Sequence, residues 1–267
     1  MSPPVLAIVA RKGGVGKTTT ACELAMAVSA HGLRVLVIDY DESANATSRL
    51  GVTPEAGLAS LVMGRPDALS LAELSVPSPW REDGRLSVVP SADDLAAVVS
   101  DPRPAWPMAL RNAIAKSGDI ADLIIIDTGP SRTRHGYQAR VAADYVLTVT
   151  TGEEDSVNAI ASAIDDTVEV AESGLVPGVG PAVIGIVAST ALSLDGAVRM
   201  AAPRELVTAL QDAYGDLMWS PLIPRLDAVM AEVRRRQIST RSMTDASRIA
   251  EAYDALAVRL IASSLTT

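Results

Sequence analysis

The chain opens on a pattern that few folds accommodate: an apolar run Val5-Leu-Ala-Ile-Val-Ala10, a glycine-rich turn, a helical stretch from Thr18 to Ala30 and a second apolar run Val35-Leu-Val-Ile38. Strand, tight turn, helix and strand in that order make a βαβ unit. The runs are continuously apolar rather than alternating, which predicts burial on both faces, as in a parallel sheet with helices on each side. Leu123-Ile-Ile-Ile126, Tyr145-Val-Leu-Thr-Val-Thr150 and Ala182-Val-Ile-Gly-Ile-Val-Ala188 repeat the pattern. Helical periodicity at 132–142, 154–173, 197–213, 226–236 and 244–264 alternates with them. The expectation is an α/β fold, a doubly wound, mostly parallel sheet with helices on both faces, in a single domain over 1–267. Residues 51–115 hold eight prolines and one clear strand, Leu86-Ser-Val-Val89, and read as an elaboration of that domain.

Composition narrows the function. With 267 residues, 48% of them hydrophobic, the chain is neither disordered nor fibrous. Its apolar runs fall short of the roughly 18 residues a membrane-spanning helix needs, and the N-terminus lacks the basic start of a secretory signal, so a cytoplasmic protein is expected. One cysteine, Cys22, and two histidines, His31 and His135, argue against thiolate or histidine metal sites. A net charge of −9 excludes a surface that coats nucleic acid all over, although a local basic patch remains open. Only Lys12, Lys17 and Lys116 are lysines against 20 arginines, so two lysines within six residues call for a local reason.

That reason lies in the glycine-rich turn. Gly13-Gly14-Val15-Gly16-Lys17-Thr18 follows a strand and opens a helix, the context of a phosphate-binding loop. Backbone N–H groups there point at a polyphosphate, Lys17 reaches its β and γ oxygens and the Thr18 hydroxyl ligates magnesium. The string Lys12-Gly-Gly-Val-Gly-Lys-Thr-Thr19-Thr20 resembles the deviant Walker A box of the ParA/MinD ATPases. Asp39-Tyr-Asp41-Glu-Ser-Ala-Asn45 looks like the family's Asp-x-Asp-Pro-Gln-Gly-Asn stretch, with Glu42-Ser43 replacing Pro-Gln. Asp122-Leu-Ile-Ile-Ile-Asp127-Thr-Gly-Pro130 is similar to its Walker B strand, with Gly129 in place of proline, a change expected to loosen the loop.

The resemblance implies ATP and Mg2+ as ligands. It implies that Asp41 positions the hydrolytic water, that Asp39 and Asp127 join Thr18 in the metal shell, and that Lys12 contacts the nucleotide of a second subunit in an ATP-dependent homodimer. Glu153 corresponds to a glutamate that often follows the next strand. Leu222-Ile-Pro224-Arg225 resembles a segment bordering the adenine pocket, and reads equally as a strand ending at proline.

Among relatives, a bridging iron–sulfur cluster needs two cysteines per subunit, and the tail has neither the tyrosines of the kinase branch nor the basic amphipathic helix of the membrane-bound branch. What remains resembles a ParA-type partition ATPase of the short kind, without an N-terminal helix-turn-helix domain. It implies non-specific DNA binding, nucleoid association in the ATP state and a ParB-like partner that stimulates hydrolysis. Arg234, Arg235, Arg236, Arg241 and Arg248 form the densest basic cluster and are the candidate DNA contact; a solvated helix end accounts for them equally. The alternative function is an ATP switch that positions a protein cargo. A small-molecule ligase or amidase is a third class, for which no substrate-binding residues are identified.

Overall fold

The structure, a computed structural model, describes residues 2–100, 106–129, 133–151, 156–190 and 201–264. Among these residues, eight strands form one sheet: β1 (Val5–Val9), β2 (Val35–Tyr40), β3 (Val76–Pro77), β4 (Leu86–Val89), β5 (Leu123–Thr128), β6 (Tyr145–Thr151), β7 (Ala182–Thr190) and β8 (Ile223–Pro224). Their order is β3-β4-β2-β5-β1-β6-β7-β8, and every pair is parallel except β3 with β4. The mostly parallel α/β expectation holds. Val76–Pro77 went unread because a two-residue edge strand ending at proline carries no periodicity.

The helices are α1 (Lys17–Ala30), α2 (Asn45–Arg49), α3 (Leu58–Val62), α4 (Leu71–Leu74), α5 (Ala96–Val99), α6 (Ala109–Ala115), α7 (Arg134–Ala142), α8 (Ser156–Glu172), α9 (Ala201–Tyr214), α10 (Asp227–Arg236) and α11 (Ser247–Ser264). The expected helix over 244–264 starts late, because Thr244–Ala246 winds as a 3₁₀ turn.

Alternation along the central strands decides which helix each residue meets. Val35, Val37, Leu123 and Ile125 face the layer containing α1, α10 and α11, whereas Leu36, Ile38, Ile124 and Ile126 face the layer of α3, α6 and α7. Continuing the alternation puts Asp39 and Asp127 on the α1 side. Both layers are filled by buried apolar side chains, each buried Leu or Ile contributing about 1.5–3 kcal/mol of transfer free energy. Helix α1 is buried almost all round, which its run of small and apolar residues permits. At Gly185 the sheet needs the missing side chain, since a Cβ would run into the Trp219 indole, whose Nε1 donates to Ile184 O at 2.9 Å. No helix among the described residues is long and apolar enough to cross a membrane.

Candidate nucleotide site

The loop between β1 and α1 is shaped by glycines. Gly14 and Gly16 take φ of 75° and 100°, a left-handed backbone that glycine adopts without penalty. Gly16 stands at the head of α1, no side chain caps that end, and no acidic residue lies in its first turn. The N–H groups there lack a side-chain acceptor, and the helix dipole favours an anion. Gly13 and Lys12 are exposed, Val15 is buried, and Thr18 and Thr19 are half-buried on the first turn.

Lys17 is buried, and burial lowers its pKa while Asp127 and Asp41 pull the other way. Asp127 and Asp39 are cross-strand partners at the ends of β5 and β2. Both are fully buried. Among the described residues, neither oxygen of Asp127 has a hydrogen-bond partner, and Asp39 Oδ1 has none. Burial, reinforced by Asp39, pushes Asp127 up to about 8, with the Thr18 hydroxyl and Lys17 opposing. Burial likewise raises Asp39, against its hydrogen bonds from Thr47.

Asp39 is only half available. Its Oδ2 accepts from Thr47 N at 2.7 Å and from Thr47 Oγ1 at 2.6 Å, which ties β2 to α2. Asp41 is held by the residue that replaces the family's glutamine: Ser43 N and Ser43 Oγ donate to its Oδ1 at 3.1 and 2.8 Å. Asn45 Nδ2 donates to Ser43 Oγ at 2.8 Å and extends the chain. Ala44 in the same turn has φ 51°, a left-handed conformation that costs an alanine about 1 kcal/mol or more. Gly129 packs against Asp41, where a Cβ would meet Asp41 Cγ at 3.5 Å, an ordinary contact. Pro130, Ser131 and Glu153 lie outside the described residues.

The loop forms one wall of a cleft. Pro224, Arg225 and Tyr253 line the same cleft. Tyr253 Oη and Thr20 Oγ1 share a 3.1 Å hydrogen bond across 233 residues of sequence. Tyr253 and Thr20 were not among the sequence candidates, and a tyrosine in an amphipathic helix carries no local mark that could have singled it out. Another contribution unread in the sequence comes from the 51–115 region: Ser91 Oγ donates to Asp41 O at 2.8 Å and Ser91 N to Thr47 Oγ1 at 3.1 Å. The elaboration thus braces the turn that carries Asp41.

The candidate arginines differ in their surroundings. Arg235 pairs with Glu232 at 2.6 Å and Arg241 with Asp254, Arg236 is exposed, Arg248 is half-buried, and Arg234 lines the cleft.

Among the described residues no group of three or more His, Cys, Asp or Glu could hold a metal by itself. Two adjacent carboxylates with partnerless oxygens and a threonine hydroxyl nonetheless fit magnesium, which usually takes one or two protein carboxylates and completes its shell with phosphate and water.

These features define a phosphate-loop nucleotide-binding protein of the parallel α/β class, and the comparisons agree. A family profile described as AAA domain matches residues 4–174. Over 220 residues the chain is 33% identical to the chromosome-partitioning ATPase Soj of Thermus thermophilus, covering 82% of this chain and 80% of that one. Among solved structures, cobyrinic acid a,c-diamide synthase of Mycobacterium smegmatis with bound ADP and magnesium superposes with a TM-score of 0.78 at 24% identity, covering 98% and 96% of the two chains. Apo McdA of Cyanothece gives a TM-score of 0.79 at 21% identity, covering 95% and 99%. Likeness at that identity speaks for the fold alone. The chain belongs to the ParA-type partition ATPases of the ParA/MinD superfamily.

Proposed function

We propose that this chain binds Mg-ATP in the cleft, dimerises in that state, binds DNA without sequence preference and hydrolyses ATP slowly until a ParB-like partner accelerates it. The observation that carries the nucleotide reading is the pairing of an uncapped α1 N-terminus with a buried lysine and a buried carboxylate whose oxygens have no protein partner. An anion on the helix end and a cation at Asp127 satisfy both.

In this reading Gly13 to Thr19 cradle the phosphates, Lys17 neutralises the β and γ oxygens, and Pro224 and Arg225 border the base. Thr18, Asp127 and the partnerless Oδ1 of Asp39 hold the metal. Bound magnesium supplies charge neutralisation to the terminal phosphates. Asp41, fixed by Ser43, orients the attacking water. Exposed Lys12 reaches the nucleotide of a second copy, so loss of the γ-phosphate weakens the dimer. For DNA, Arg236 and the dimer's duplicated cations supply the phosphate contacts.

The test is binding of non-specific duplex DNA at several salt concentrations with ADP, with ATP, and with ATP on Asp41→Ala. Binding confined to ATP, steep in salt and strongest in the variant, which retains nucleotide but does not turn over, is the expected result. Intact ATPase activity with no DNA binding in any state would move the assignment to the positioning of a protein cargo.

A further inference from the structure

We propose that Arg234 is a contact to the nucleoside end of the bound nucleotide, and that the three consecutive arginines of α10 serve different ends. The inference rests on the nucleotide reading above. Consecutive helical residues are turned by about 100°, so Arg234, Arg235 and Arg236 cannot share a face. Asp227, Met230 and Arg234 have the spacing of a single helical stripe, and all three line the cleft. Arg235 instead turns to Glu232, with Nε and Nη2 at 2.8 and 2.6 Å from its two oxygens.

Two further observations bear on Arg234. Asp227, on the same stripe, is engaged by Arg225 at 3.1 Å. The Arg234 guanidinium has no hydrogen bond or ion pair among the described residues, which separates it from Arg235, and it lines the cleft, which separates it from Arg236. A guanidinium is donor-only, with five N–H groups in a planar fork, and it stands over a cleft whose nearby wall is apolar Ile223, Pro224 and Met230. The phosphates belong to the α1 end, where Lys17 already supplies the cation. The part of a nucleotide that extends past that end toward α10 is the sugar and base, whose acceptor atoms match the fork.

Calorimetric titration of the full chain with unlabelled ADP and ATP tests this on wild type, Arg234→Ala, Arg234→Lys, Arg65→Ala and Lys17→Ala. Arg234→Ala is expected to weaken ADP and ATP equally, by about tenfold, the effect of one charge-assisted hydrogen bond. Arg234→Lys restores only part, because a point charge lacks the planar fork. Arg65→Ala, at an exposed arginine that does not line the cleft, leaves both affinities unchanged. Affinities of Arg234→Ala within about twofold of wild type, with a shallower salt dependence of DNA binding, would place this arginine on the DNA surface and overturn the proposal. Selective loss of ATP over ADP would overturn it too, by placing the guanidinium at the γ-phosphate. Lys17→Ala separates the two readings, since undiminished nucleotide binding there would sink the phosphate-loop assignment itself.

Discussion

Glu23 and Asp127 are both buried carboxylates on the α1 side of the sheet, and their surroundings differ completely. Glu23, on α1, accepts from Ser239 Oγ at 3.0 Å, Thr240 Oγ1 at 2.7 Å, Thr240 N at 3.2 Å and Arg49 Nη2 at 2.9 Å. Asp127 has no hydrogen-bond partner on either oxygen among the described residues. A buried charge is tolerated when its lone pairs are filled, and its partners then pin the elements that supply them. Here Glu23 pins α1, α2 and the segment between α10 and α11. A buried carboxylate without such partners contributes nothing to packing, and its presence at a strand end beside Lys17 points to a cation from outside the chain. Asp39 lies between the two cases, with one oxygen held by Thr47 and the other partnerless.

The contrast breaks most decisively at Glu23. Glu23→Ala leaves Arg49, whose guanidinium lies 5.9 Å from the Trp80 ring centroid, without its carboxylate. A loss of about 3–5 kcal/mol is expected from urea unfolding, as for any broken buried pair. A loss below about 1 kcal/mol would show that the cluster is not a structural pin.

Asp127→Asn should act in the opposite direction on stability. With its native pKa raised to about 8 against an ordinary 3.8, the folded state holds a proton that the unfolded chain has released between those values. Stability of the nucleotide-free protein therefore falls as pH rises from about 4 to about 8, because the unfolded state binds fewer protons. The asparagine variant flattens that slope and gains on the order of 1–3 kcal/mol at pH 8, while losing magnesium-dependent hydrolysis. Thermal unfolding across that pH range checks it, and an unchanged slope would assign the titration elsewhere.

The smallest effect is at the half-satisfied carboxylate. Thr47→Val removes one of two donors to Asp39 Oδ2 and is expected to cost about 1–2 kcal/mol with ATP affinity retained. Loss of nucleotide binding with no change in unfolding midpoint would mean that Thr47 acts on the site rather than on the fold.

Legibility followed the range of the interactions. The loop, the strands that flank it and the carboxylates Asp39, Asp41 and Asp127 were readable because each is a local motif in a regular element. The alternating faces of β2 and β5 follow from a period of two, so even the shared side of Asp39 and Asp127 is implicit in the chain. The fate of the arginine cluster was not readable. Adjacency in sequence shows neither that Arg235 meets Glu232 and Arg241 meets Asp254 nor that Arg234 lines the cleft. Residues 51–115 gave no periodicity strong enough to read, yet Ser91 from that region braces Asp41.

By itself, the sequence determined the parallel α/β core and the chemistry of the phosphate loop, since continuous apolar runs, left-handed glycines and strand-end carboxylates act through the local backbone. Tertiary structure alone decided which buried carboxylate is filled and which is open, and which arginine lines the cleft. Such outcomes depend on partners brought from far along the chain, as Thr240 donates to Glu23 and Tyr253 shares a hydrogen bond with Thr20, and no local pattern encodes a partner more than 200 residues away.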